Sequence, residues 1–120
     1  MKKSLVNILK LSAAASLALL AMSCGSTQLY SWYNYQSDYY HYLKNADEKS
    51  QTKLTQTYQQ IIDRQRESRG VVPPGIYADY GWLLLQNGKS EEGKAMLMKE
   101  VELYPESEVF VGSLLKRYAQ

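Results

Sequence analysis

The sequence has very few of the residues that build metal sites, disulfides and many catalytic centres. Among its 120 residues are one cysteine and one histidine. A disulfide framework, a zinc ribbon or a CxxC redox motif within one chain is therefore excluded, and a histidine-based metal site is disfavoured. From this composition we expect a protein that is not an enzyme and that uses no cofactor or metal.

The net charge of the chain is also small. The chain carries 14 Lys plus Arg and 12 Asp plus Glu, a net charge of +2. Three of the lysines and none of the acids lie in residues 1–23, so the remaining 97 residues hold 11 basic and 12 acidic side chains. This near-neutral balance removes the main argument for nucleic-acid binding, and the length suffices for one small domain.

The N-terminal residues have the pattern of a bacterial lipoprotein signal peptide. A basic start, Met1–Lys3, precedes an apolar stretch whose cleanest part, Leu11–Met22, is too short to span a bilayer. The stretch ends in a small residue before the only cysteine, which resembles a lipobox, although two positions depart from its commonest form. We predict a signal peptide over 1–23 and lipidation of Cys24.

Residues 24–28 are predicted to be the lipidated cysteine and a short polar tether. Four residues span at most about 14 Å, so the folded part would lie close to the lipid, and two or more acyl chains anchor a protein stably. The residue directly after the cysteine is Gly25; an aspartate at that position would resemble an inner-membrane retention signal. The rest of the tether is uncharged. The predicted location is the outer membrane, with the domain lipid-anchored and facing the periplasm.

From residue 29 to residue 120, apolar side chains recur at helical spacing and nothing alternates as a strand does. About five helices are expected: Leu29–Lys44, Glu48–Arg69, Ile76–Gln86, Ser90 to about Leu103, and a last one after Pro105. The expected helix-start residues are Asn45 with Glu48, Pro74 and Ser90. Trp82 and Leu84 are expected at the centre of the core.

The first of these helices is strongly aromatic, because six of the eleven tyrosines fall in it. The spacing predicts one packed face that includes Trp32, Tyr35, Tyr39, Tyr42 and Leu43. Tyr33 and Tyr40 fall off that face. The candidate partner-binding residues are Trp32, Tyr33, Tyr40 and Tyr42. Two alternatives stay open: these rings stack on sugars, or they pack on the second helix and at the bilayer interface.

Two smaller groups of polar residues have weaker functional interpretations. Asp38 and His41 could form an acid–base pair on one helical face, but no nucleophile or metal cluster accompanies them, so a packed or solvated histidine is favoured. Arg64, Arg66 and Arg69 form a basic cluster on the predicted long helix. A solvated face is the favoured interpretation, and a patch for anionic headgroups or a carboxylate partner is the alternative.

Residues 77–105 resemble the tetratricopeptide (TPR) signature, a helix-hairpin repeat. Seven positions carry this likeness: Tyr77, Tyr80, Gly81, Leu84, Gly93, Leu97 and Pro105. Glu100 departs from the signature, which has a small residue there, and alanine is commoner than glycine at position 93. The segment with Trp32, Tyr35 and Tyr39 resembles a second, altered copy. The resemblance implies an all-α, TPR-like antiparallel stack of helix hairpins over residues 29–120.

The whole mature chain resembles a family of short Gram-negative lipoproteins, grouped as a domain of unknown function with a TPR-like core. The matching segments are Leu29–Tyr35, Pro73–Gly75, Gly81, Gly88, and Leu103–Ser107 with Phe110. The gene of such proteins commonly lies beside one for a CsgG-like outer-membrane lipoprotein. The resemblance implies a part in an outer-membrane secretion or surface-assembly complex, a CsgG-like lipoprotein as partner, and no catalytic residues.

The function expected from these observations is that of a lipid-anchored periplasmic adaptor, which touches the membrane through its N-terminal lipid and binds a protein partner. The alternative is a glycan- or peptidoglycan-binding envelope module that uses the N-terminal aromatic cluster.

Overall fold

The computed structural model describes residues 1–21, 25 and 27–119, and it is all-helical, with no strand in those residues. The prediction of an all-α fold is therefore confirmed. The elements are α1 (Lys2–Ala21), α2 (Tyr35–Asn45), α3 (Glu48–Asp63), α4 (Ile76–Gln86), α5 (Ser90–Leu103), a 3₁₀ turn (Pro105–Ser107) and α6 (Glu108–Tyr118).

Helix α1 lies within residues 1–23, the predicted signal peptide, which stays a prediction; α1 is exposed over residues 2–18 and packs on no other helix in the part described. The predicted lipidation residue, Cys24, lies outside the described residues. No helix in the described ranges has both the length and the apolar character needed to cross a membrane.

Helices α2 and α3 form an antiparallel hairpin. Tyr35 near the start of α2 meets Tyr58 late in α3, and Asp38 accepts a hydrogen bond from Thr57. The predicted capping box was wrong. Asn45 is the last residue of α2, and the side chain of Asp47 caps α3 by accepting from the Ser50 N–H at 2.7 Å.

Both helices of this hairpin are shorter than predicted, at the ends away from the connecting turn. Helix α2 begins at Tyr35 and not at Leu29, and α3 ends at Asp63 and not at Arg69. The two segments left over, residues 28–34 and 64–70, are hydrogen-bonded to each other. The Gln65 amide accepts from the Ser31 N–H and donates to the Ser31 carbonyl, both at 2.9 Å. This pairing satisfies backbone groups that a helix would otherwise satisfy.

Helices α4 and α5 form a second antiparallel hairpin with a very close backbone approach. A Cβ added to Gly81 would lie 2.8 Å from the Gly93 carbonyl oxygen, and one added to Gly93 would lie 2.7 Å from that of Gly81. Real Cβ contacts are longer, so this separation between the helices requires glycine at both positions.

The start of α4 differs from the prediction. Gly75, with a φ of 92°, precedes the helix, and Pro74 lies outside its first turn. The buried carboxylate of Glu100 on α5 accepts from the Gly75 N–H at 2.7 Å and from the Ala78 N–H at 3.3 Å. Glu100 thus caps α4 from the neighbouring helix, where negative charge favours the helix N-terminus.

The predicted cap of α5 was also wrong. Ser90 is its first residue and follows Lys89, and no side chain caps this helix start. The Ser90 hydroxyl instead lies 2.5 Å from the Tyr118 hydroxyl, which ties α6 to the start of α5.

The core consists of two adjoining clusters that share α4. Tyr58, 1% exposed, is the largest fully buried side chain and lies in the cluster between α3 and α4. Leu97 and Val111 bury the other face of α4 under α5 and α6. Leu84 is buried as predicted, but Trp82 is only half-buried at the edge of the second cluster, because the space between α2 and α4 beside it stays open.

Candidate functional site

An open cavity of about 350 Å³ lies between α2, α3 and α4, and we call it the aromatic cleft. It is lined by Tyr39, Tyr42, Leu43, Ala46, Leu54, Tyr58, Asp79, Trp82, Leu83 and Gln86. Most of this lining is aromatic or apolar. Asp79 is its one charged side chain.

Two tyrosines that line the cleft, Tyr39 and Tyr58, belong to a larger group of packed tyrosine rings. Tyr58 on α3 stacks on Tyr80 of α4 with ring centroids 5.4 Å apart, and its ring lies 5.8 Å from that of Tyr35 on α2. Tyr39 follows one turn later, 5.5 Å from Tyr35. Because these rings join three helices, the shape of the cleft is set by core packing and not by mobile loops.

Asp79 is held in the cleft by one hydrogen bond. Its Oδ2 accepts from the Tyr35 hydroxyl at 2.7 Å, and within the described residues no basic side chain pairs with it. Burial raises the pKa of the Asp79 carboxyl, and the bond from Tyr35 opposes that shift. Burial and the nearby Asp79 charge raise the pKa of both Tyr35 and Tyr58, so their hydroxyls stay protonated and can donate.

The predicted partner-binding residues fall on two surfaces. Tyr42 is half-buried and lines the cleft, whereas Tyr40 is 60% exposed on the outer side of α2. Leu43, predicted to be packed, is 63% exposed and lies at the rim where the cleft and the outer side meet.

Trp32 and Tyr33 precede α2, which corrects the prediction that Trp32 shares a helical face with Tyr35 and Tyr39. It also removes the proposed match between Trp32 and the first position of the repeat. Both side chains are exposed, and the Tyr33 hydroxyl donates to the Arg64 carbonyl. They therefore belong to the paired segments and not to the cleft.

The acid–base pair suggested by Asp38 and His41 is not formed. Asp38 is 2% exposed, accepts from the Thr57 hydroxyl at 2.6 Å and lies 3.5 Å from the Lys53 ammonium. His41 is exposed. Asp38 thus joins α2 to α3. Among the described residues, no group of three or more histidine, cysteine or acidic side chains is arranged to hold a metal ion.

The residues of the repeat signature lie at the α4–α5 hairpin. Tyr80, Gly81, Leu84, Gly93 and Leu97 are buried there. Tyr77 is half-buried beneath the Lys99 ammonium, 5.7 Å from its ring centroid, and Pro105 is exposed at the start of the 3₁₀ turn.

The predicted basic cluster is exposed but does not lie on a helix. Arg64, Arg66 and Arg69 are in the segment after α3, beside residues 28–34. The backbone N–H of Arg66 donates to the Ser31 hydroxyl, and the backbone N–H of Arg69 donates to the Leu29 carbonyl. The backbone of this segment is thereby fixed against residues 28–34, the segment that contains Trp32 and Tyr33.

Sequence reasoning missed the roles of Glu100 and Asp79. Asp79 is an acidic residue in an apolar stretch, and Glu100 departs from the repeat signature, so each carried a signal. Neither signal identifies the donor that hydrogen-bonds to the carboxylate, because Gly75 and Tyr35 are distant in the sequence.

Residues 29–114 match the family model described as a domain of unknown function, DUF4810. No curated protein and no solved structure matches the chain. The comparisons provide no link to a CsgG-like lipoprotein or to a TPR core, and both stay predictions.

Proposed function

The chain belongs to the DUF4810 family, and we propose that it is a lipid-anchored adaptor that binds a protein partner at the periplasmic face of the outer membrane. The aromatic cleft is the observation that carries the proposal. Grooves in helical stacks hold peptides and helices, and aromatic side chains in such pockets supply much of the binding energy of protein interfaces.

The cleft continues onto the outer side of α2, which enlarges the surface available to a partner. Tyr39 and Leu43 line both the cleft and the shallow groove that also contains Tyr33 and Tyr40. A partner segment lying across α2 would contact Tyr40 and Leu43 outside and Tyr42 inside. Three of the four candidate partner-binding residues, Tyr33, Tyr40 and Tyr42, line this continuous surface.

The paired segments support the anchored arrangement. Residues 28–34 are fixed against residues 64–70, so a lipid on Cys24 would hold this end of the domain near the bilayer through the short tether. Leu29 and Trp32 are exposed there, and the exposed Arg64, Arg66 and Arg69 lie in the segment paired with theirs. Apolar, aromatic and basic side chains are the types that favour a membrane interface.

The proposed partner is a CsgG-like outer-membrane lipoprotein, and the process is secretion or assembly at the cell surface. The family resemblance of the sequence supports this choice. The predicted TPR-like nature of the α4–α5 hairpin is consistent with it, since TPR-like stacks act as protein-binding scaffolds.

Co-purification after crosslinking in intact cells tests the adaptor proposal. The lipidated chain, the variant Cys24→Ser and the variant Tyr40→Ala are recovered from membranes and their adducts identified by mass spectrometry. Met98→Ala serves as the matched surface control, because Met98 is 56% exposed on α5 and lines neither the cleft nor the α2 groove. We expect one partner with wild type and Met98→Ala, and much less with the other two variants. Equal recovery from all four chains would contradict the proposal.

A glycan-binding module is the second candidate, because Tyr42 and Trp82 line a cleft that also holds a carboxylate. Aromatic rings can stack on the C–H faces of a sugar while the carboxylate accepts from its hydroxyls. Retention of the protein on purified sacculi, lost in Trp82→Leu, would favour this function over the adaptor. No retention would exclude it.

A further inference from the structure

We propose that the aromatic cleft is a receptor for one cationic side chain, a lysine or an arginine, of the partner protein, with Asp79 as its counter-ion. This inference rests on the proposed adaptor function and names the chemistry of the bound group. The structure supports it through the charge of the cleft, the rings that line it and its size.

The charge of the cleft is uncompensated. Asp79 lies among apolar and aromatic residues and has the Tyr35 hydroxyl as its only hydrogen-bond partner in the described part of the chain. A carboxylate partly removed from water is costly unless it is paired with a cation. The two ion pairs formed by described residues, Lys53 with Asp38 and Lys94 with Glu91, lie elsewhere.

The rings of the cleft suit a cation. Trp82 comes from α4, and Tyr39 and Tyr42 come from α2, so rings from two helices line the space around Asp79. A guanidinium or ammonium group within about 6 Å of such rings is attracted by their faces. The same chain already uses this contact, because the Lys99 ammonium lies 5.7 Å from the centroid of the Tyr77 ring.

The size and rigidity of the cleft favour one side chain over a larger ligand. Its volume of about 350 Å³ is near the lower end of the range for ligand pockets, about 300–1,000 Å³. Tyr35 donates to Asp79 and packs against Tyr58, which stacks on Tyr80, so the carboxylate is positioned before the partner arrives. An acidic segment would be repelled by Asp79, which makes the cleft selective for basic segments.

A small-molecule titration tests this inference without knowledge of the partner. Butylguanidinium is the cationic probe, and butylurea, of the same shape without the charge, is its neutral control. The full chain in detergent micelles is observed by NMR through its two indole N–H signals, from Trp82 in the cleft and Trp32 outside it. We expect saturable shifts of the Trp82 signal with a dissociation constant in the millimolar range, about that of a single weak contact.

Two variants separate charge from folding. Asp79→Asn keeps an oxygen that can accept from Tyr35, and it should weaken butylguanidinium binding at least tenfold while its helical circular dichroism stays unchanged. Met98→Ala changes an exposed residue of α5 that does not line the cleft and should leave the affinity for butylguanidinium unchanged. Equal binding of butylurea, equal binding by Asp79→Asn, or no saturable shift of Trp82 would overturn the inference.

The outcomes also distinguish this inference from the adaptor function on which it rests. If a partner is captured equally by wild type and Asp79→Asn, the cation receptor is wrong and the adaptor stands. If butylguanidinium binds through Asp79 but no protein is captured, the receptor stands as a site and the adaptor proposal fails.

Discussion

The close contact of α4 and α5 predicts that one substitution, glycine to alanine, has opposite effects on two helices. Gly93 and Gly112 both lie inside helices. A Cβ at Gly93 would lie 2.7 Å from the Gly81 carbonyl oxygen and 2.8 Å from two Leu85 side-chain carbons. A Cβ at Gly112 would meet nothing within 4 Å.

The expected free energies follow from two opposing effects. Alanine favours a helix over glycine by about 1 kcal/mol. Overpacking costs about 1–3 kcal/mol, and the upper end applies to Gly93 because one of the atoms met is backbone and the whole helix must move. Gly93→Ala should therefore destabilise the domain by about 2 kcal/mol, and Gly112→Ala should stabilise it by about 0.5–1 kcal/mol.

Thermal unfolding followed by circular dichroism measures both effects. In a domain of this size about 1 kcal/mol shifts the Tm by roughly 4–8 °C. Gly93→Ala should lower the Tm by roughly 10 °C, and Gly112→Ala should raise it by a few degrees. An unchanged or higher Tm for Gly93→Ala would refute the close approach of the helices.

Three further predictions test other parts of the structure. Glu100→Ala should destabilise the domain by about 3 kcal/mol because two buried charge-assisted hydrogen bonds are lost. Glu100→Gln should be less destabilising because one acceptor remains. Equal unfolding midpoints in urea for wild type and Glu100→Ala would contradict the cap. The bond from Ser50 lowers the pKa of the Asp47 carboxyl below its ordinary 3.8, so its stabilisation is complete above that pH and is lost as the pH falls through the lowered value. Asp47→Ala should therefore lower the Tm more at pH 7 than at pH 2, and an equal difference at both pH values would be against the charged cap. Tyr58→Ala should lower the free energy of unfolding by about 3–5 kcal/mol, and Trp82→Ala should lower it clearly less in the same urea titration. The reverse order would mean that the core is centred on Trp82.

The sequence predicts α4 and α5 well because strong local signals mark their ends. Gly75 and Asn87–Gly88 flank α4, and Pro105 follows α5, so the bounds depend on residues close to each helix. The cap residues were harder to predict, because Glu100 satisfies the start of α4 from another helix. A local capping motif cannot show such a contact.

The start of α2 and the end of α3 could not be predicted for a related reason. The aromatic spacing of residues 29–34 and the Arg, Gln and Glu content of residues 64–69 both favour a helix, but Gln65 pairs with Ser31 across 34 positions. This long-range pairing outweighs local helical preference. In the same pairing Trp32 lies outside the helix, and Arg64, Arg66 and Arg69 lie in the segment bonded to residues 28–34.

The candidate site was predictable in part. Helical spacing places Tyr40 on the exposed side of α2, as the structure has it. The cleft itself depends on how α2, α3 and α4 meet, which spacing within one helix does not determine. Asp79 is visible in the sequence as the one charge of a buried helix, but its surroundings come from α2 and α3.

Site-specific photo-crosslinking in living cells tests the central claim, that the aromatic cleft of an anchored adaptor binds a protein. A photo-crosslinking amino acid is placed at Tyr42 in the cleft and, as control, at Met98 on α5. We predict one protein adduct from the Tyr42 position that is absent from the Met98 position and is lost when Cys24→Ser is added. No adduct at Tyr42, or the same adducts at both positions, would contradict the adaptor function.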